Sequence, residues 1–341
     1  MSDTRGKLTI LACDSGKPFA EKIVKRLNRG KKENEEKTPL ITSHEIHFAS
    51  TELKTTIDES IRGADVYIVQ DCENAYAGYS VDENLRALKT AVDAAFRSDA
   101  NCITAVIPVF PYARQDKSDE REGITASMVA REIEDANVDH IITLDLHNSA
   151  IAGFFRKAKV ENLRASRNLI RYIKENPEEF DLERLVIMPC DLGGAKRAEH
   201  YASMLGIDLA FTYKKRNYSI PNSVEEIKIM GNIEGMDVFI VDDMICTGGS
   251  IIKAVRTAKD KGAKRVYTAC SLPLFNGDAI EKINKAYEEK SLAAVIGTDA
   301  VYHGPDFQEK HPWFREVSVS SYFAKVIYKL NSRQSISELL K

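Results

Sequence analysis

No Cys-x-x-Cys pair occurs among the six cysteines, which lie scattered at 13, 72, 102, 190, 246 and 270. A disulfide framework or a structural zinc site is therefore not expected, and free buried thiols in a reducing cytosol fit better. An apolar run long enough to span a bilayer is also missing, and Met1–Lys7 lacks the basic start and apolar stretch of a secretory signal. The expected compartment is the cytoplasm, with no membrane partner. Nor is there an excess of charge of one sign: 48 Lys and Arg against 51 Asp and Glu give a net charge of -3. A general nucleic-acid binder would carry a basic excess, so no nucleic-acid partner is expected. Anionic ligands must then be held by local clusters.

What is present is length and alternation. At 341 residues, 43% of them hydrophobic, the chain can bury two cores, and 29% charged residues give a polar surface. Short apolar runs at Leu8–Ala12, Val66–Gln70, Ile103–Val109 and Ile141–Leu144 read as buried strands. Phe19–Leu27, Glu83–Phe96 and Thr125–Ala136 carry apolar residues at helical spacing between them. The second half repeats the plan, with strands at Leu185–Met188, Val238–Val241, Val266–Cys270 and Ala293–Ile296. Helices are expected near Ala195–Leu205, Gly249–Lys261 and Asp278–Tyr287. Apolar strands alternating with helices predict two tandem doubly wound α/β domains with parallel sheets, placing ligands at the carboxyl ends of the strands. The join is expected near Lys157–Arg164, and the charge run Gly30–Lys37 reads as a solvated loop.

The most informative segment is Asp242-Asp243-Met244-Ile245-Cys246-Thr247-Gly248-Gly249-Ser250, which follows the strand Val238–Val241 and opens a helix. A Gly-Gly turn at a helix start lets backbone N–H groups converge on an anion, and the Thr247 and Ser250 hydroxyls can add donors. Asp242 and Asp243 precede that nest by about one sugar length, where carboxylates can accept from vicinal ribose hydroxyls. A capped helix start would explain the glycines. Two adjacent acids at a strand end repel each other and point to a ligand or metal.

Other strand ends carry weaker signals. In Pro108–Asp116 two prolines stiffen a turn that ends in Arg114 and Gln115, suited to a phosphate and a base edge, or simply an arginine on a surface loop. His147 ends the run Ile141–Leu146 beside Asp145, at a position suited either to a structural histidine or to a magnesium or phosphate contact. Pro189–Arg197 repeats the strand–acid–Gly-Gly–helix plan around Asp191, which helix capping would also explain. Tyr213–Arg216 reads as a basic loop, and alone as a solvated charge run.

Taken in order, VYIVQ ending at Gln70, PYARQDK at 111–117, DHIITLDLH at 139–147, GGAKR at 193–197, KKR at 214–216 and VDDMICTGGS at 241–250 resemble the ribose-phosphate diphosphokinase (PRPP synthase) family. The resemblance implies two domains of the type I phosphoribosyltransferase-like fold. Residues 1–160 would form an ATP-contacting domain to which the tail 322–341 returns, and 161–321 a ribose-5-phosphate-binding domain. The active site would lie between them, with ATP contacts from a neighbouring subunit. It also implies transfer of the β,γ-diphosphoryl group of Mg-ATP to the C1 hydroxyl of ribose 5-phosphate, giving PRPP and AMP. By position, Phe48, Ser50, Glu52, Arg114 and Gln115 would hold ATP, and His147 and Asp191 would lie at Mg2+ sites. Lys214 and Arg216 would be catalytic, while Asp242, Asp243 and Cys246 to Ser250, including Thr247, Gly248 and Gly249, would bind ribose 5-phosphate. Ser60, Arg62, Arg121, Ser335 and Ser337 match the family's phosphate and ADP regulatory site. A homo-oligomer built from dimers, up to a hexamer, is implied likewise.

The sequence departs from the family pattern at three places. Ser50 stands where Asp or Asn is usual, Cys246 where an acid commonly opens the Thr-Gly-Gly turn, and Lys117–Gly123 is short, with Gly123 in place of a proline. Ser50 and Cys246 favour an alternative, a non-catalytic regulatory homologue, which the presence of His147, Lys214 and Arg216 opposes. A phosphoribosyltransferase would share the ribose loop but lack the Arg-Gln-Asp and Lys-x-Arg segments.

Overall fold

The computed structural model describes residues 4–32, 34–118, 120–215 and 226–340, with backbone alone at 212–215 and 226–228. The chain divides into two compact units, one of Met1–Arg164, Asp299–Gly304 and Ser318–Lys341, the other of Ala165–Thr298 and Pro305–Val317.

The first unit begins β1 (Leu8–Ala12), α1 (Lys17–Leu27), β2 (Leu40–Ile41), β3 (Ser43–His47), β4 (Leu53–Ile57), β5 (Asp65–Val69) and α2 (Val81–Arg97). It continues with β6 (Cys102–Val106), α3 (Thr125–Asp135), β7 (His140–Leu144) and β8 (Lys159–Leu163). Six strands form a parallel sheet in the order β2-β1-β5-β6-β7-β8. Every residue of β5 and β7 is buried, as strands covered on both faces must be. Helix α2 starts on a capping box in which Ser80 and Glu83 satisfy each other's backbone N–H groups. Strand β6 stops at Val106 instead of reaching Val109; Pro108 lacks the N–H that would extend a ladder.

The second unit contains α4 (Ser166–Glu175), β9 (Leu185–Pro189), α5 (Ala195–Leu205), β10 (Phe211–Lys215), β11 (Glu226–Met230) and β12 (Asp237–Ile245). Then follow α6 (Gly249–Asp260), β13 (Arg265–Pro273), α7 (Ala279–Glu288), β14 (Ala294–Thr298), α8 (Phe307–Lys310) and β15 (Phe314–Val317). Its parallel sheet has the order β15-β14-β13-β12-β9. An isolated parallel bridge from Ile187 to Leu209 lies on the far edge of β9. The chain thus leaves β9 in one direction and β12 lies in the other, which makes the β9–β12 pair a topological switch point.

Two features depart from the expected plan. Antiparallel ribbons, β3 with β4 and β10 with β11, accompany the parallel sheets. The first survives because Leu53 and Ile57 of β4 pack on the core of the first unit, beside α2. The division also falls after Arg164 rather than 160, since β8 pairs with β7 and completes the first sheet. Asp299–Gly304 and residues 318–321 likewise belong to the first unit rather than the second. There the Tyr302 N–H donates to the Asp71 carboxylate at 3.3 Å and Lys22 pairs with Asp299 at 3.0 Å. After them come α9 (Ser320–Asn331) and α10 (Ser337–Leu340), with Phe323 of α9 edge-on to Phe19 of α1 at 5.1 Å.

Candidate functional site

The switch point of the second unit carries the densest chemistry. Strand β12 is longer than its apolar run: Asp242 and Asp243 still lie within it, Asp242 opposite Cys270 of β13. Asp243 is buried at 5% exposure, and one of its oxygens accepts from the Met244 N–H at 3.0 Å. Asp242 is the more open of the two. Burial first, and then the neighbouring Asp243 charge, hold the Asp242 carboxyl above the usual carboxylate range.

The turn that follows is braced from the next crossover. Phe275 and Asn276 donate their N–H groups to the Ile245 and Cys246 carbonyls, each at 2.9 Å, and Lys282 donates to the Thr247 carbonyl at 3.1 Å. Cys246 is half-buried, its sulfur 3.6 Å from Asn276 Nδ2. Gly248 then takes φ 71°, a left-handed conformation glycine adopts at no steric cost, and α6 begins at Gly249. No side-chain hydrogen bond caps α6 among the described residues. Exposed Thr247, Gly249 and Ser250 therefore surround a helix N-terminus whose dipole and N–H groups suit a phosphate.

On β9, the neighbouring strand, Pro189 leads through Cys190 to Asp191. Asp191 is exposed and one carboxylate oxygen accepts from the Gly194 N–H at 3.2 Å, so it caps the short turn Leu192–Gly194. Capping engages a single oxygen and does not exclude a second role. Helix α5 then brings Arg197 to the acids of β12, with Nη1 at 3.3 Å from Asp242 and Nη2 at 3.7 Å from Asp243.

In the first unit the loops after β6 and β7 lie side by side. The Leu144 N–H donates to the Pro108 carbonyl at 3.1 Å, and Asn148 Nδ2 donates to Asp116 at 2.6 Å. Arg114 and Gln115 are exposed at this edge, and Gln115 is fixed by accepting from Thr125 Oγ1 at 2.6 Å. His147 is exposed on the adjoining turn. Asp145, at its side in sequence, adopts φ 43° and is paired with Arg164 at 3.2 Å, which gives it a structural task.

Phe48, Ser50 and Glu52 occupy the turn of the β3–β4 hairpin. The Phe48 N–H donates to the Glu52 carbonyl at 2.9 Å and the Ser50 hydroxyl to the Glu52 carboxylate at 2.8 Å. Phe48 is 48% exposed, an apolar ring held out on a polar turn. The ligand-type atoms of Glu45 and His47 on β3 and of Asp14 lie within 4.8 Å of one another. A hydrogen bond from the Asp14 N–H to Glu45 at 2.8 Å accounts for that grouping.

Arg216 lies outside the described residues, as does the Lys214 side chain, although the Lys214 backbone pairs within β10. Among the five regulatory positions, Arg62 is paired with Asp99, and Ser335 and Ser337 are bonded to each other at 3.2 Å. Ser60 and Arg121 are exposed. No hydrogen bond or ion pair among the described residues joins either arginine to these serines.

Arg197 lies within GGAKR, a run that by itself assigns it no task, and Asn276 and Lys282 stand outside every motif of the sequence. Neither shows a sequence signal, because the loop they brace is separated from them by a whole crossover.

Known proteins resemble both halves. Residues 8–136 match a family model described as the N-terminal domain of ribose phosphate pyrophosphokinase, and 159–302 match the phosphoribosyl transferase domain. A ribose-phosphate pyrophosphokinase of Chlorobaculum tepidum is 36% identical over 334 residues, covering 97% of this chain and 94% of its own. Ribose-phosphate pyrophosphokinase 2 of Schizosaccharomyces pombe is 35% identical, covering 97% of each. Among solved structures, the phosphoribosylpyrophosphate synthetase of Mycobacterium smegmatis superposes with a TM-score of 0.81 at 30% identity, over 95% of this chain and 98% of that one.

Proposed function

The chain belongs to the ribose-phosphate pyrophosphokinase family, and on that premise we propose how its residues divide the work of making PRPP. It is an enzyme of this family, catalysing PRPP synthesis. The reaction moves the β,γ-diphosphoryl group of ATP to the C1 hydroxyl of ribose 5-phosphate and releases AMP. The observation that carries the assignment of residues is β12 running through Asp242 into the Gly248 turn and the open N-terminus of α6.

That turn binds the 5-phosphate through backbone N–H groups with Thr247 and Ser250, and Asp242 accepts from the ribose hydroxyls. Asp243 is the more deeply buried of the two, and its N–H donates to the Asp242 carboxylate at 2.9 Å. Arg114 and Gln115 contact ATP, and Phe48 with Ser50 and Glu52 receives the adenine; an exposed aromatic ring on a rigid turn is suited to stacking on a base. Mg2+ prefers oxygen ligands and keeps waters, which fits Asp191, an exposed carboxylate with one oxygen engaged in capping. His147 offers a nitrogen donor, so a magnesium contact there would be completed by phosphate oxygens. When bound, the ion would offset the charge of the triphosphate.

For the protein itself such a transfer is positioning and charge neutralisation. The sugar is held so that its C1 hydroxyl meets the β-phosphorus in line, and Lys214 and Arg216 neutralise charge developing in the transition state. The working assembly is a homo-oligomer, and Ser60, Arg62, Arg121, Ser335 and Ser337 confer phosphate and ADP sensitivity. A phosphate titration with no change in activity up to tens of millimolar would remove that regulation.

Purified protein given ribose 5-phosphate and Mg-ATP is expected to yield AMP and PRPP in equal amounts. AMP without PRPP would indicate hydrolysis. No AMP with any nucleotide would favour a regulatory homologue, the reading that Ser50 and Cys246 support.

A further inference from the structure

Arg197 lies where two adjacent carboxylates meet, and the functions assigned above leave it without a task. It projects from the first turns of α5 and touches one oxygen on each of Asp242 and Asp243, at 3.3 and 3.7 Å. Its side chain is 26% exposed and that of Asp242 24%, so the pair is half-withdrawn from water while still facing outward.

The surroundings show why a cation is needed there. Asp243 follows Asp242 on β12, the Cys190 thiol faces it from the end of β9, and the Cys270 thiol faces it from β13. Asp191 adds negative charge beside Cys190. Every one of these groups is acidic or neutral. Among the described residues Arg197 is the cation paired with Asp242. Burial and the adjacent charge push Asp242 toward its protonated form, and Arg197 opposes both. The distinction matters for sugar recognition. An ionised carboxylate is a pure acceptor with two equivalent oxygens and can take two vicinal hydroxyls at once; a protonated one must spend an oxygen as donor.

We propose that Arg197 is a positioning residue for the acceptor sugar, holding Asp242 charged and correctly turned so that it accepts from the two ribose hydroxyls. This rests on the assignment of ribose 5-phosphate to the Asp242–Ser250 loop. The planar guanidinium contacts both acids with a geometry that an ammonium reproduces only in charge.

The test measures ribose 5-phosphate affinity of the full chain by titration calorimetry from pH 6 to 9, alongside turnover. At pH 7 Arg197→Gln is expected to weaken ribose 5-phosphate binding about tenfold, the equivalent of one unit of carboxyl titration. Raising the pH to 9 should recover most of that loss, because the freed carboxyl then ionises without help. Arg197→Lys should bind much closer to the unaltered chain at pH 7, and KM for ATP should change little in either variant. A merely structural arginine predicts a loss that pH does not repair and that extends to ATP; that result overturns the proposal. So does an Arg197→Gln profile that overlays the unaltered one. If the unaltered chain binds no ribose 5-phosphate at any pH, the proposal falls together with the loop assignment. PH-repairable binding without turnover would support the proposal while sinking the catalytic reading.

Discussion

His140 shows how one buried ring sets a pH dependence. It begins β7 at 5% exposure, its Nδ1 has no hydrogen-bond partner among the described residues, and burial, then Arg5 and Lys159, lower its pKa to about 4. Unfolded histidine titrates near 6.5, so between those values the unfolded chain binds the extra proton and stability falls as the pH falls. Asp71 acts with the opposite sign. Burial raises it to about 7, so the folded chain holds the extra proton and that contribution weakens as pH rises from about 4 to 7. Replacing His140 with Gln isolates the first effect. Relative to the unaltered chain, the variant should gain roughly 2–3 kcal/mol between pH 7 and pH 4.5. Urea unfolding at a series of pH values measures this, and a constant difference would show that the ring is not held neutral. Lys214 belongs to the same scale. Lys214→Ala should lower kcat by about 10²–10⁴-fold with modest change in KM, as loss of a transition-state charge does. Near-normal turnover would remove its catalytic role.

At the scale of elements, the proposed sugar site sits where a strand hands over to a helix. The handover at Gly248 needs φ 71°, whereas a Cβ there would meet Ala279 at 3.5 Å, an ordinary contact. The cost of Gly248→Ala is therefore conformational, about 1–2 kcal/mol, and falls on the turn rather than on its packing. KM for ribose 5-phosphate should rise several-fold while KM for ATP stays nearly constant. Equal increases for both substrates would mean that the turn does not serve the sugar alone. The β3–β4 hairpin illustrates a different device. Polar residues fill much of the hairpin, and Leu53 and Ile57 fasten β4 to the core, so the turn can carry exposed Phe48 without unravelling.

For the whole molecule, the consequential feature is that each unit has its own core while the carboxyl-terminal helix completes the first. Phe323, Val326 and Ile327 of α9 are fully buried, Tyr67 donates to the Ile327 carbonyl, and Asn331 donates to Asp65 at 2.9 Å. Phe323→Ala should cost about 3–5 kcal/mol by leaving a cavity against Phe19. Hydrogen exchange should show β1 and β5 losing protection while β12 and β13 keep theirs. Equal loss in both units would mean that they unfold as one.

What the sequence determined by itself is local. Apolar β-branched runs at β1, β5, β7, β9 and β12 identify buried strands, because a strand covered on both faces needs no partner information to be recognised. The Asp242–Ser250 loop is legible for the same reason: strand, turn and helix are neighbours along the chain. Tertiary structure decided the rest. Arg197 reaches Asp242 across 45 residues through the pairing of β9 with β12, and Asp299–Gly304 leaves the second unit to meet Asp71. Strand pairing and burial bring such residues together, and neither follows from the spacing of residues along one segment. The strand–turn–helix plan of the Asp242–Ser250 loop was written in the sequence, but the Arg197 guanidinium beside Asp242 became visible only in the fold.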